Sequence, residues 1–237
     1  MESAAEYVTA KDREDLSGKA KETSDTYNFL LLAYLDAAGY SERSERKSPQ
    51  EQFRAILQRY LFVAEKIQSV NQGVEGDMGT ATLLEGDARN MSLEDASVDG
   101  VIFSPPYSFA IDYLDNDAFH LNYLGADTDK LQQMMVGLRG RTLQEKFVCY
   151  KEDMGRVLAE CARVLRPERI CTIIVGTNSN QLSKVLGVSP DKVPGLHEML
   201  VEMANPYGFK LVKTMSRSII GISNTMRREY ILMLQRK

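Results

Sequence analysis

Residues 98–107, Val98-Asp99-Gly100-Val101-Ile102-Phe103-Ser104-Pro105-Pro106-Tyr107, constrain the fold of this chain more than any other stretch. An apolar run of strand length ends abruptly in a hydroxyl, two prolines and an aromatic ring. Proline fixes its own φ, has no N–H and pushes the residue before it into extended conformations. Pro105-Pro106 therefore predicts a stiff loop at the strand's carboxyl end that cannot relax into helix. In doubly wound α/β sheets the ligand crevice lies outside these carboxyl ends. A rigid loop offering a hydroxyl, carbonyls and a ring at that place suits a flat, polar group.

The pattern around this segment is that of a layered α/β structure. Short apolar runs at 81–84, 100–103, 170–175, 210–215 and 230–234 read as strands, and residues 150–165 as an amphipathic helix stopped by Pro167. Nearly continuous apolar strands alternating with helix predict a sheet covered on both faces. Upstream the texture is helical. Residues 1–23 are a polar lead-in, and 27–40 follow a helical pattern that ends at Gly39, a residue suited to a left-handed helix terminus. Ser48-Pro49-Gln50-Glu51 forms a capping box ahead of a helix over 48–70, whose apolar residues recur at three and four. The chain is thus expected to comprise the lead-in, a helical segment over 24–75 and an α/β region over 76–237.

Charge and cysteine content narrow the partners. The net charge of −4 conceals a gradient. From residue 205 onward Lys210, Lys213, Arg217, Arg227, Arg228, Arg236 and Lys237 face one acid, Glu229, giving +6 against −10 for the remainder. Such a basic end can meet phosphate. Cys149, Cys161 and Cys171 have no C-x-x-C spacing and the two histidines, His120 and His197, lie far apart, which argues against zinc and disulfide frameworks; these residues read as small buried groups. No run approaches the roughly 18 apolar residues a membrane span requires, and the start lacks a basic end followed by an apolar stretch, so a cytosolic chain is expected.

Ser104-Pro105-Pro106-Tyr107 resembles the catalytic motif of S-adenosylmethionine-dependent methyltransferases that modify exocyclic amines of nucleobases, the N4-cytosine and N6-adenine DNA methyltransferases of restriction-modification systems. Other stretches match the family in the right order. Gly86-Asp87-Ala88-Arg89, followed by Ser97-Val98-Asp99, is similar to the acidic segment that holds the cofactor's adenine. Arg163-Val164-Leu165-Arg166-Pro167 is similar to the R-V-L-x-P-G approach to the fifth strand. Tyr207-Gly208-Phe209 and Arg228-Glu229-Tyr230 fit the terminal hairpin. The resemblance covers about residues 80–237. It implies a class I (Rossmann-like) methyltransferase sheet, S-adenosylmethionine as cofactor and DNA as substrate. Ser104 Oγ and the Pro105 carbonyl would accept from the amine, with Pro106 stiffening the loop and Tyr107 stacking on a flipped base. Asp87, with Ala88 and Ser104, would face the cofactor; Asp112 and Tyr113 would shape the pocket; Arg227 and Arg228 would reach the DNA. Serine at position 104 favours cytosine N4 over adenine N6. Residues 115–147 are too short for a large recognition domain and read as a lid or DNA-facing insert.

One expected part is missing. The family carries an F-x-G-x-G loop after its first strand, and neither Gly73-Val74-Glu75-Gly76-Asp77-Met78-Gly79 nor Gly137-Leu138-Arg139-Gly140 has the flanking strands to supply it. In the family's sheet order, 3-2-1-4-5-7-6, the strand ending near Asp87 is the third and the strand ending at Ser104 is the fourth. The two strands between them would have to come from elsewhere. The expectation is a partial sheet with an N-terminal helical segment, completed by a second subunit in a heterodimer. Methylation of RNA or of a protein amide, and a non-catalytic scaffold or recognition subunit, are the competing functions.

Overall fold

The computed structural model describes residues 10–42, 46–72, 79–106, 113–219 and 228–237, the side chains of 10–20 and of Tyr113 aside. The chain divides into two compact units, Met1–Ala81 with Asp117–Ala126, and Thr82–Asn116 with Asp127–Lys237.

The first unit is helical. It comprises α1 (Ala10–Ser41), α2 (Pro49–Gln72) and the short α4 (Ala118–Tyr123). Ser48 caps α2 as expected: its Oγ accepts from the Glu51 N–H at 3.3 Å while the Glu51 carboxylate accepts from the Ser48 N–H at 3.0 Å. The α1–α2 seam is built on Ala33, Ala37 and Ile56, with Phe53, Leu57 and Tyr60 against them. α1 is longer than its apolar pattern, because a helix once nucleated propagates through polar residues at little cost. It takes in much of the polar lead-in and continues past Gly39 to Ser41. Gly39 therefore serves a steric purpose, not the left-handed one expected of it. A Cβ there would lie 2.5 Å from Nε2 of His120, whose ring makes a 2.7 Å hydrogen bond to the Leu35 carbonyl.

The second unit is an α/β layer. Its four strands are β1 (Val98–Phe103), β2 (Leu165–Gly176), β3 (Phe209–Ser218) and β4 (Arg228–Arg236), in spatial order β1-β2-β4-β3. β1 and β2 are parallel, β4 runs antiparallel to β2, and β3 antiparallel to β4. This matches the 4-5-7-6 portion of the order implied by the resemblance. Short α3 (Tyr113–Asn116) and α5 (Thr128–Met134), long α6 (Leu143–Val164), then α7 (Ser179–Leu186) and α8 (Leu196–Ala204) complete it. Each strand is longer than its apolar run, because ladder pairing carries the extended backbone into polar flanks. α6 begins earlier than expected because Thr142 and Glu145 form a capping box.

Two expectations fail here. Residues 81–84 form no strand; Leu83 is 95% and Leu84 72% exposed. An extended segment becomes a strand only where a neighbour takes up its N–H and C=O groups, and none lies beside it among the described residues. Nor, among the described residues, do helices of this unit cover both sheet faces. Cys171, Ile173 and Val175 with Leu232 and Leu234 pack under α6, α7 and α8, the core of the unit. Ile102 is on the other face and is 72% exposed.

Cys161 and Cys171 lie in that core and Cys149 is half-buried, all as free thiols. Among the described residues no helix is long and apolar enough to cross a membrane.

The approach to β1 is fastened from α6. Arg163 donates to the carbonyls of Met91 at 2.9 Å and Leu93 at 2.7 Å and pairs with Asp95, while Glu160 accepts from the Met91 N–H at 2.8 Å. The bonds from Arg163 hold the Glu160 carboxyl down to about 2, below its ordinary 4.5. A carboxyl depressed on folding stabilises above its unfolded value and loses that contribution as pH falls toward the folded one. Denaturant unfolding should therefore show stability declining from about pH 4.5 toward pH 2, with a shallower decline in Glu160→Gln. An unchanged acid limb in that variant would count against the clamp.

Candidate active site

The carboxyl ends of β1 and β2 and the start of β4 share one edge of the sheet. β1 delivers Ser104 there, and its Oγ donates to the Ile174 carbonyl of β2 at 3.0 Å. A hydroxyl has one hydrogen and two lone pairs. With the hydrogen committed to Ile174, the exposed Oγ is left as an acceptor, the polarity an incoming amine needs. Pro105 behind it is buried and Pro106 half-buried. The Pro106 carbonyl accepts from the Tyr150 hydroxyl of α6 at 3.3 Å. Tyr107, Asp112 and Arg227 lie outside the described residues, as does the side chain of Tyr113, which opens α3.

Arg228 stands at the same edge, paired in register with Ser218 at the first position of β4. It is two strands from β1, about 10 Å at ordinary strand spacing. The rest of the basic end divides by role. Arg217 pairs with the buried Glu229, and Arg236 bonds to the Leu165 carbonyl at the far end of β2. Lys210 and Lys213 are exposed on β3. Tyr230 stacks on His197 with ring centroids 3.5 Å apart and planes 6° from parallel. Burial pushes the His197 imidazole below its ordinary value.

Asp87 and Ala88 belong to a tight turn closed by the Asn90 N–H donating to the Asp87 carbonyl at 2.9 Å. The Asp87 carboxylate is held by Arg89. Oδ1 accepts from the Arg89 N–H and Nε at 2.9 Å each, and Oδ2 from Nε at 3.1 Å and Nη2 at 2.8 Å. These bonds draw the Asp87 carboxyl below its ordinary range and raise the Arg89 guanidinium above its own. Arg89 continues to the Met134 carbonyl at 2.8 Å and to Asp153 of α6 at 3.0 Å. Arg139 bonds the same carboxylate at 3.0 and 2.7 Å. Two carboxylates and two guanidiniums thus balance, with Asp153 fully buried at the centre. A cleft of about 730 Å³ beside Arg139 and Arg141 does not include Ser104 or Pro106.

The fit to S-adenosylmethionine is partial. The carboxylate expected to meet the cofactor's adenine already accepts from three N–H groups of Arg89, the Nε–H shared between its two oxygens, and the glycine loop is absent from the sequence. Ser104 alone of the three expected cofactor contacts is both exposed and at the carboxyl end of β1.

Sequence reasoning missed the bonding roles of Tyr150, Arg89, Arg139 and Asp153. The signal for Asp153 was legible, since it is a charged residue on the apolar stripe of an amphipathic helix, between Tyr150 and Met154. A buried charge demands a partner. Which arginines answer it depends on contacts 64 and 14 residues away in sequence.

No family model matches this chain and none of the curated proteins does. Solved structures resemble it in part. One is a Thermus thermophilus protein designated a DNA modification methylase, at 20% identity and TM-score 0.37, covering 64% of this chain and 50% of that one; the same protein has been solved with S-adenosyl-L-methionine. Another is a SAM-dependent methyltransferase of Methanosarcina mazei, at 11% identity and TM-score 0.35, covering 64% and 65%. A third is a protein designated a methyltransferase, in complex with the Haloferax volcanii Trm112 methyltransferase activator, at 13% identity and TM-score 0.35, covering 65% and 60%. The chain spans about half the length of the Thermus protein.

Proposed function

We propose that this chain is the catalytic-motif half of an S-adenosylmethionine-dependent methyltransferase that acts on the exocyclic amine of a flipped DNA base, cytosine N4 in preference to adenine N6. A second polypeptide carrying the F-x-G-x-G loop completes it. The observation that carries the reading is Ser104 Oγ, an exposed acceptor at the carboxyl end of β1 in a sheet ordered 4-5-7-6.

An exocyclic amine is a weak nucleophile because its lone pair is delocalised into the ring. Acceptors that bond its hydrogens draw the nitrogen toward tetrahedral geometry and free that pair. Ser104 Oγ is one such acceptor, and the Pro105 carbonyl is assigned as the second. Tyr107 stacks on the base, a contact worth about 1–3 kcal/mol. Arg228 and Arg227 meet phosphate. S-adenosylmethionine, once the sheet is completed, supplies an activated methyl group, so that positioning accounts for much of the rate.

The two sheet edges support the second polypeptide. β3 carries the exposed Lys210 and Lys213, charges of the kind that keep an edge strand from pairing. β1 has no such protection, because its one charge, Asp99, is paired with Arg166 and Arg169. Leu83 and Leu84, ahead of β1 in the chain, are exposed as well.

Reconstitution with a polypeptide bearing the glycine loop, followed by nucleoside analysis of methylated DNA, tests the reaction. N4-methylcytosine is the expected product. N6-methyladenine instead would reverse the base preference, and the absence of both, or methylation of RNA or protein alone, would defeat the DNA reading. Ile102→Lys tests the edge. The chain's own stability should change by no more than about 0.5 kcal/mol, as for most exposed sites, while assembly with the second polypeptide weakens by about tenfold or more. Tight binding of S-adenosylmethionine by the chain alone would remove the need for a partner.

A further inference from the structure

We infer that Tyr150 is a positioning residue for the proposed reaction: its buried hydroxyl fixes the Pro106 carbonyl and so holds the Ser104-Pro105-Pro106 turn in the geometry that receives the amine. The inference rests on the reaction proposed above, and its test is arranged so that the two fail separately.

The turn has an unusual difficulty. Pro105 and Pro106 have no N–H, so neither can tie the turn to its surroundings by donating from the main chain. A polar tie must run the other way, from a donor outside the two prolines. Among the described residues two such ties are present. Ser104 Oγ donates to the Ile174 carbonyl at 3.0 Å, anchoring the front of the turn to β2. The Tyr150 hydroxyl donates to the Pro106 carbonyl at 3.3 Å, anchoring its back to α6. The peptide unit is planar, so a bond to the Pro106 carbonyl fixes the orientation of the last peptide of the turn.

Burial explains why this residue is a tyrosine. Its side chain is fully enclosed and belongs to the core cluster with Met154, Val157 and Leu158. Phenylalanine would fill that space without a polar atom to desolvate. A buried hydroxyl is tolerated when it is bonded, and this one is bonded to the catalytic turn. At 3.3 Å the bond is longer than the roughly 2.7–2.8 Å usual for O–H···O. Bonds at catalytic sites without substrate are often long and tighten when it binds.

The test compares wild type, Tyr150→Phe and Ser104→Ala in the reconstituted enzyme with duplex DNA and S-adenosylmethionine, with active sites titrated. Tyr150→Phe keeps the ring and should lower Tm by roughly 2–4 °C. Misplacement of reacting groups by small distances costs up to about 100-fold, so kcat per active site should fall about 10- to 100-fold, with KM for DNA and for the donor within about threefold. The carbonyl 13C resonance of Pro106 should move upfield in the free chain, as loss of a hydrogen bond to that oxygen requires. A purely structural role would lower Tm and the active fraction but leave kcat per site unmoved. If Ser104→Ala abolishes turnover and Tyr150→Phe does not, the positioning role is wrong and the proposed reaction stands. If Ser104→Ala is harmless, the reaction fails, and the carbonyl resonance alone then decides: an unchanged resonance in Tyr150→Phe overturns the tie, an upfield shift upholds it.

Discussion

Asp153→Ala is expected to destabilise the chain by about 3–5 kcal/mol, the cost of stranding buried charges by removing one partner. The carboxylate is fully buried and bonds Arg89 and Arg139, whose side chains are 14% and 31% exposed. Its removal leaves both guanidiniums without their shared counter-charge and cuts Arg89, with the Asp87 turn it grips, from α6. At about 2–4 °C per kcal/mol for a chain of this size, Tm should fall by roughly 10 °C. Asp153→Asn keeps the shape and some of the hydrogen bonds, and should fall in between. A loss below about 1 kcal/mol, the range of exposed ion pairs, would mean that the cluster adds little to the fold.

Ser104→Ala is expected to reduce kcat by about 10²–10³, the usual consequence of deleting one preorganised polar group at a reacting centre. The same change removes the bond to Ile174, worth about 0.5–1.5 kcal/mol, so a modest drop in Tm should accompany it. Single-turnover methylation with excess enzyme separates the two effects, because it measures the chemical step on whatever fraction is folded. A variant that lost stability but kept its single-turnover rate would show that Ser104 serves only to tie β1 to β2. Tyr107→Ala belongs in the same series and reports on stacking.

Much of this architecture was legible where the determinants are local. The Pro-Pro stop after Phe103, the Ser48–Glu51 cap and the end of α6 ahead of Pro167 all depend on groups within a few residues of each other. Strand cores at 100–103, 170–175, 210–215 and 230–234 were found by their apolar runs, although pairing extended every one. Residues 81–84 have the same composition and yet form no strand, because strand formation depends on a neighbour that composition does not reveal. Gly39 was assigned to a helix end from its own conformational freedom, whereas its actual constraint is the ring of His120, far along the chain. The electrostatic cluster around Asp153 was opaque for a related reason: Arg89, the residue that occupies Asp87, connects two elements 64 residues apart. Of the candidate site, the position of Ser104 at the sheet edge followed from the sequence, while the helix residues that brace it did not.

The bracing has a consequence for how the molecule comes into being. The bonds that α6 makes to residues 89, 91 and 106 span 64, 69 and 44 positions of sequence, so none can form until that helix has been synthesised and has docked. Ordering contacts of such separation requires closure of long loops first, which slows folding. The serine–proline turn therefore gains its working shape late, as a product of tertiary assembly. Transplanting those three residues onto a foreign strand would carry over the letters and leave behind the scaffold that gives them meaning.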